Sequence, residues 1–282
     1  MSTLLRKCKT QVLFFCGIIL VLAGLASSSY TAEQYTFGIV PQYDQRQLYA
    51  IWKPLVAELE RRTGLSFRLA TVSTISAFEN EFLKGSYDFA YMNPYHLLKA
   101  NEAQGYVPII RDRTSLRGIL VVRKDSPIKK LSGLNNKVVA FPSPNALGAS
   151  LLIRADLSEL HHLSIVPLYV TSHDSVYLYV LKGLADAGGG VEQTLAIQPK
   201  PVRDALRTLY TSRAMSSHPI AIHPRVPSAD AEKVRRAFLD IASTEEGRER
   251  LSKIPMKHPT SASLDDYTVM LRWGLESFWV EE

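Results

Sequence analysis

The sequence contains very little cysteine. Its two cysteines, Cys8 and Cys16, both lie near the start of a chain of 282 residues. The remainder can therefore form no disulfide, no thiolate metal site and no cysteine nucleophile. Its folded state must be held by an apolar core, for which the length and the 46% share of hydrophobic residues are sufficient.

Catalytic and metal-binding motifs are also absent from the sequence. There is no nucleophile elbow, no Gly-Lys-Ser/Thr phosphate loop, and no metal-ligand spacing among the seven histidines. We therefore predict that the protein is not an enzyme and that it uses no cofactor and no metal ion.

A strong excess of charge of one sign is missing as well. The chain has 33 basic and 27 acidic residues, and three of the basic ones, Arg6, Lys7 and Lys9, lie among the first ten. The remaining balance is too small for a polyanion-binding surface, so nucleic acid is not a predicted partner.

The N-terminal segment has the pattern of a signal peptide. The three basic residues precede an apolar run of about fifteen residues from Val12 to Ala26, after which a polar stretch begins. The run is short for a membrane span, which needs about 20 residues. We predict that residues 1–32 direct export to the periplasm, with cleavage after Ala26 or Ala32. An uncleaved membrane anchor is the alternative.

The rest of the chain alternates strand and helix patterns. Tyr35 to Val40 and Gly118 to Arg123 are predicted strands, while apolar residues three and four apart from Leu48 to Leu59 predict a helix. Asn93-Pro94 supplies an N-cap and a first-turn proline for another helix, which Gly105 ends. The same order restarts in the middle of the chain. This rhythm predicts two α/β units, each a sheet covered by helices.

Three strand-to-helix junctions stand out: residues 91–96 cluster aromatic and polar groups, with buried tyrosines that are usually packing residues, and the second and third junctions, residues 143–150 and 171–175, are candidate anion sites. A helix N-terminus presents unpaired backbone N–H groups and the positive end of its dipole. In the second junction we expect Asn145 to cap a helix from Ala146 to Leu157. From the residues alone, each junction can equally be an ordinary capped helix, and His173 a local hydrogen-bonding residue. The run from Gly188 to Gly190 indicates either a close approach to the backbone or a tight turn.

Several segments in this order resemble a known family. They are Phe37-Gly38-Ile39-Val40-Pro41, Asp88-Phe89-Ala90-Tyr91, Val121 to Pro127, Lys137 to Phe141, and His173-Asp174-Ser175-Val176. Together they resemble the phosphonate/phosphate/phosphite-type periplasmic solute-binding proteins of ABC transporters, the PhnD-like family. The similarity extends over most of the chain beyond the leader.

The resemblance implies an α/β, two-lobed periplasmic-binding-protein fold of type II. Each lobe would be a mixed sheet flanked by helices, and two crossover hinge strands would join the lobes. We assign residues 33–118 and 216–282 to lobe 1 and residues 119–215 to lobe 2.

The resemblance also implies a set of ligand-binding residues. Lobe 1 would contribute Tyr43, Tyr91 and Asn93. Lobe 2 would contribute the loop Asn145-Ala146-Leu147-Gly148 together with His173, Ser175 and Glu192. Family members commonly hold the anion with consecutive Ser/Thr hydroxyls before the glycine. This loop lacks those hydroxyls, which argues against a classical phosphonate ligand and leaves inorganic phosphate, phosphite or another anion open.

The function that the resemblance implies is periplasmic binding of a small oxyanion by hinge closure and its delivery to an ABC transporter permease. One alternative is a ligand-sensing module that docks on a membrane sensor kinase or cyclase. An enzyme on the same fold is a second alternative, for which His173 and Glu192 would be the candidate general bases.

Overall fold

The computed structural model describes residues 34–281. The predicted leader, residues 1–32, lies outside the described residues, so the signal peptide stays a prediction. Residues from Gln34 onward form one compact unit. None of the helices within the described residues combines the length and the apolar character needed to span a bilayer.

Eleven strands in the described residues form two mixed sheets. The strands are β1 Gln34–Ile39, β2 Ser66–Thr71, β3 Phe89–Tyr91, β4 Val107–Asp112, β5 Gly118–Arg123, β6 Val138–Phe141, β7 Val166–Tyr169, β8 Ala187–Val191, β9 Leu206–Thr211, β10 Pro219–Ile222 and β11 Pro259–Ser261. The first sheet has the order β11-β4-β10-β3-β1-β2 and the second the order β7-β6-β8-β5-β9.

Parallel and antiparallel pairs occur in both sheets. In the first, β1 runs parallel to β2 and β3, while β10 is antiparallel to both β3 and β4. In the second, β6 runs parallel to β7 and β8, while β5 is antiparallel to β8 and β9. The structure thus has the predicted arrangement of two lobes, each built on its own mixed sheet.

The helices flank these sheets. They are α1 Gln45–Thr63, α2 Ile75–Leu83, α3 Pro94–Gln104, α4 Leu152–Ala155, α5 His173–Leu181, α6 Glu192–Ala196, α7 Lys200–Ala205, α8 Ser228–Ile241, α9 Glu245–Ser252 and α10 Asp265–Thr268. Helix α4 continues at both ends into π-helical turns, Leu147–Leu151 and Asp156–Leu160. We call residues 147–160 the composite helix. Short 3₁₀ turns lie at Leu131–Leu134, Val269–Arg272 and Leu275–Phe278.

Local sequence signals explain where several helices begin and end. The side chain of Asn93 accepts a hydrogen bond from the backbone N–H of His96, and Gly105 ends α3 in the left-handed conformation with φ 75°. In the same way Asp44 caps α1, and Gly64 ends it with φ 69°. These starts and stops confirm the pattern predicted from the sequence.

The chain crosses between the sheets twice, and the two crossings pair with each other. Leu116, before β5, and Met215, after β9, exchange two backbone hydrogen bonds of 2.8 and 3.0 Å. This short antiparallel bridge is the narrow link between the lobes. Our proposed lobe boundaries, at residues 118/119 and 215/216, fall beside it and stay predictions.

The glycines of β8 lie against neighbouring backbone and rings. A Cβ on Gly189 would lie 1.9 Å from the carbonyl oxygen of Ala149 and 2.5 Å from the ring of Phe141. A Cβ on Gly118, in the adjacent strand β5, would lie 2.0 Å from the carbonyl oxygen of Gly148. The first turn of the composite helix therefore packs directly on two strands without side chains between them, which is the close approach that the glycine run indicated.

Replacing Gly189 with alanine tests this packing. We expect a loss of about 1–3 kcal/mol in the free energy of unfolding, because the new methyl group would displace the helix start or the ring of Phe141. Urea denaturation measures the loss. Gly133→Ala is the control, since the nearest atom there belongs to the Ile128 side chain at 3.1 Å. Equal stability of the two variants would contradict the close packing.

Candidate ligand-binding site

Two adjoining cavities lie between the sheets. The larger has a volume of about 160 Å³. It is lined by Gln42, Tyr43, Tyr91, Asp112, Thr114, Leu116, Val191, Gln193, Thr194, Ser217, His218 and Pro255. The smaller, of about 30 Å³, shares Gln42, Leu116, Val191 and His218 with it. Its other lining residues are Val40, Pro41, Ile75, Asn93, Ala146, Leu147, Gly148, Ala149 and His173.

The three predicted strand-to-helix junctions meet at the smaller cavity. Asn93 precedes α3, His173 begins α5, and Ala146 precedes the composite helix. Two of these helices belong to the second lobe and one to the first. The smaller cavity is therefore bounded by the N-terminal ends of helices from both lobes, where backbone N–H groups are concentrated.

The composite helix begins with three unpaired donors. The backbone N–H groups of Leu147, Gly148 and Ala149 have no hydrogen-bond partner within residues 34–281. The first paired groups are those of Ser150 and Leu151, which both donate to the carbonyl oxygen of Ala146. Because alanine at the N-cap has no side-chain acceptor, the preceding residue cannot pair these donors. They are free to bind an anion at the cavity wall.

Asn145 does not cap this helix, so that prediction was wrong. Its side chain instead donates to a carboxylate oxygen of Glu79 at 3.0 Å and pairs with both the N–H and the C=O of Val280. Asn145 is 1% exposed and lines neither cavity. The side chain of Asn145 therefore hydrogen-bonds to residues distant in sequence and not to the backbone of its own helix.

Both histidines at the cavities are held neutral by burial. The loss of solvation lowers the pKa of His173 to about 4, against an opposing effect of the Asp174 carboxylate. Burial likewise lowers the pKa of His218 to about 3, and the neighbouring His96 and His173 add to this effect. Each ring therefore has one N–H to donate and carries no charge at neutral pH.

The rings have partners that orient them. His173 Nδ1 lies 3.5 Å from the hydroxyl of Thr194, and His218 Nε2 lies 3.2 Å from the amide nitrogen of Gln42. With that amide as donor, His218 carries its proton on Nδ1. The His218 ring also stacks on Tyr91 with 5.4 Å between centroids.

The tyrosines of the larger cavity are hydrogen-bond donors at neutral pH. Burial raises the pKa of Tyr43, with a smaller contribution from Asp174, and it also raises the pKa of Tyr91. Their hydroxyls therefore stay protonated. Both residues line the larger cavity, as does the stacked His218.

The charge around the cavities is unusual for an anion site. Neither lining contains a lysine or an arginine. Asp112 lines the larger cavity, and its two carboxylate oxygens accept hydrogen bonds of 2.6 Å from the backbone N–H groups of Thr114 and His258. The side-chain oxygen of Gln193 is buried there without a partner among the described residues. Any anion bound here would be held by neutral donors and would meet two acceptors.

The structure brings most of the predicted residues to the two cavities. Tyr43 and Tyr91 line the larger one, and Asn93, Ala146, Leu147, Gly148 and His173 line the smaller one. Ser175 lines neither and bonds to Ser172, and the exposed Glu192 also lies outside both linings. A direct role of these two residues, like that of Asn145, stays a prediction.

Sequence reasoning missed several lining residues. These are Gln42, Asp112, Thr114, Gln193, Thr194 and Ser217, all of common surface types. Ser217 and His218 directly precede Pro219, where β10 begins. The His218-Pro219 pair is the one local signal in this segment, and composition and spacing alone do not place it beside the other lining residues.

Comparison with known proteins agrees with this architecture. Residues 37–267 match the family of periplasmic substrate-binding proteins of phosphonate ABC transporters.

The chain belongs to this family.

A relative, the phosphate-import protein PhnD of Mycolicibacterium smegmatis, is 22% identical over 233 residues, which are 75% of this chain and 73% of the relative. Among solved structures, PhnD1 of Prochlorococcus marinus (MIT 9301), in complex with methylphosphonate, superimposes with a TM-score of 0.77. Its sequence identity is 16%, and the match covers 87% of this chain and 98% of PhnD1.

A second solved structure is a binding-protein component of an ABC phosphonate transporter, PA3383 from Pseudomonas aeruginosa. It superimposes with a TM-score of 0.76 at 14% identity and covers 86% of this chain and 85% of its own. The predicted two-lobed α/β fold is confirmed. Membership of the phosphonate-binding family confirms a periplasmic substrate-binding role, in place of an enzymatic one, in phosphonate/phosphate-type ABC transport.

The neutral histidines predict a pH dependence of stability. Both pKa values lie below the value of 6.5 for an exposed imidazole. The unfolded chain therefore binds more protons than the native one between pH 6.5 and about 4, so the free energy of unfolding falls as the pH is lowered through this window. We expect the melting temperature of the double variant His173→Gln/His218→Gln to fall less than that of the parent between pH 7 and pH 4. An equal fall in the melting temperatures of the variant and the parent would contradict burial of the two rings.

Proposed function

We propose that this substrate-binding protein holds a small phosphorus oxyanion, of the phosphate, phosphite or short phosphonate class, in the gap between its lobes, and that closure of the lobes delivers it to an ABC permease. The proposal rests chiefly on the free N–H groups of Leu147, Gly148 and Ala149 at the wall of the smaller cavity.

The donors suit a compact anion. Three backbone N–H groups and the positive end of the composite helix provide partial positive charge without a cation. His173 and Asn93 come from two further helix starts around the same cavity. An anion loses its hydration shell when it enters, so each of its oxygens needs donors from several directions. The convergence of three helix ends meets that requirement.

The acceptors suit an oxyanion that still carries a proton. Asp112 and Gln193 line the larger cavity, and the side-chain oxygen of Gln193 has no partner among the described residues. A P–OH group of phosphate, phosphite or a phosphonate monoanion can donate to such an acceptor. Sulfate has no proton to donate at neutral pH, so its oxygens would face the Asp112 carboxylate unfavourably.

Closure of the lobes is favoured when a ligand binds donors that belong to different lobes. Asn93 of the first lobe already donates to the backbone oxygen of Asn145 in the second, at 3.3 Å. The composite helix also packs Leu147, Leu151 and Leu152 into the core of the first lobe. We take this arrangement as the closed form. A ligand that bridges both lobes binds this form better than an open one and thereby shifts the population toward it.

Calorimetry with a panel of anions tests the ligand class. We expect phosphate or methylphosphonate to bind about a hundredfold or more tightly than sulfate at pH 7, because only the phosphorus anions can donate to the buried acceptors. Inorganic phosphite should follow the phosphorus anions. Absence of binding for all three phosphorus compounds, or tighter binding of sulfate, would remove the proposed ligand class.

Replacement of His173 by alanine tests the donor set. Removing one hydrogen bond to a charged oxygen should weaken binding about ten- to a hundredfold. The matched control is His161→Ala, at an exposed histidine of the same lobe. Calorimetric affinities for the best-bound anion measure both variants. If His173→Ala binds as tightly as His161→Ala, the ring is not a ligand donor.

A further inference from the structure

A segment after α10 lies across both lobes. We name residues 275–280 the C-terminal strap: it comprises the 3₁₀ turn Leu275–Phe278 followed by Trp279 and Val280. One side of the strap is attached to α3 in the first lobe. Its other side is attached to the start of the composite helix in the second lobe.

The attachment to the first lobe consists of a carboxylate and an aromatic ring. Glu276 accepts hydrogen bonds of 2.7 Å from both the Tyr95 hydroxyl and the Lys99 ammonium group. The Trp279 ring packs against Tyr95 and His96, with centroids 5.7 and 6.0 Å apart, and Lys99 lies over its face. All three partners are on α3, so this side of the strap moves with the first lobe.

The attachment to the second lobe consists mainly of backbone groups. Asn145 Nδ2 donates to Val280 O at 2.7 Å, and Val280 N donates to Asn145 Oδ1 at 3.0 Å. The Arg154 guanidinium donates to Phe278 O at 2.7 Å and to Pro144 O at 2.9 Å. The amide of Asn145 thus pairs with Val280 as a neighbouring strand would, and Arg154 connects the strap to the loop before the helix.

Asn145 also contacts the first lobe directly. Its Nδ2 donates to Glu79 on α2 at 3.0 Å, and Glu79 in turn bonds to His96 on α3 at 2.9 Å. Both Glu79 and His96 are buried. Separation of the lobes, with the strap held on α3, would break these Asn145 side-chain bonds and exchange them for bonds to water, at a modest net cost for each bond.

We propose that the C-terminal strap is a latch that stabilises the closed form, and that Asn145 is a positioning residue which sets ligand affinity through this latch and does not itself bind ligand. Asn145 lies two residues before Leu147, whose N–H is the first of the three free donors at the start of the composite helix. The latch therefore acts on the turn that carries the donors.

The latch has a measurable signature that distinguishes it from a ligand contact. The apparent dissociation constant equals the intrinsic one divided by the closed fraction. A weaker latch lowers the closed fraction, so it must raise the dissociation constants of all ligands by the same factor. Loss of a ligand contact would change the ratio between two different anions.

Val280 offers a variant that removes one donor and little else. Its side chain is 37% exposed, and its contact with Asn145 is made by the backbone. Val280→Pro deletes the N–H, and Trp279 already has the extended ψ of 136° that a residue before proline prefers. Val280→Ala, which keeps the N–H, is the matched control. A second pair is Asn145→Leu with Asn80→Leu as its control at an exposed site on α2.

Two measurements test the proposal. We expect Val280→Pro to weaken binding of phosphate and of methylphosphonate by the same factor, about three- to tenfold, which is the size of one lost hydrogen bond. Asn145→Leu should lose more, again equally for both anions, while the two controls bind like the parent. In small-angle X-ray scattering without added ligand, Val280→Pro and Asn145→Leu should show a larger radius of gyration than their controls.

Two outcomes would overturn the latch. Unequal losses for the two anions would make Asn145 a ligand contact, and unchanged affinity together with an unchanged radius of gyration would make the strap passive. The affinity measurement rests on the proposed function. If the parent binds neither anion, the proposed function fails, and the scattering comparison between each variant and its control still decides the latch.

Discussion

The candidate site depends on three backbone N–H groups that cannot be paired within their own helix. They exist because the composite helix starts at an alanine N-cap, and their position is fixed because the carbonyl oxygens of Gly148 and Ala149 pack against glycines of β5 and β8. A side chain at Gly118 or at Gly189 would displace the helix start. The glycines thus serve the site indirectly, by letting the second sheet support a turn whose free donors lie at the gap between the lobes.

A site built from neutral donors attracts an anion without neutralising its charge. With His173 and His218 uncharged, the electrostatic attraction for an anion comes from oriented dipoles, which weaken quickly with distance. Such a site does not select for total negative charge. The ligand that we propose is one whose oxygens fit the donors and whose remaining proton fits Asp112 and Gln193.

Local signals predicted the elements that local physics determines. Helix α3 was defined by Asn93-Pro94 at one end and Gly105 at the other, and β5 has the bounds that its apolar run indicated. The strands β4, β10 and β11 were not predicted. Strands β10 and β11 are short and begin with a proline, and β4 has a proline as its second residue. Asn145 is of a residue type that is favoured at helix N-caps, yet its partners Glu79 and Val280 are 66 and 135 residues away. No spacing rule contains that information, so the cap prediction failed where tertiary contacts outweighed a local preference.

The chemistry of the strap determines how strongly it can act. A binding protein is useful only if its ligand controls closure, so the closed form must be favoured by no more than the ligand's own differential affinity. A buried ion pair between the lobes would carry a large desolvation cost and a large penalty on breaking. Asn145 and Val280 instead meet through neutral amide groups, each of which contributes little net free energy when the alternative partner is water. A latch of this kind would favour the closed form without making closure independent of the ligand.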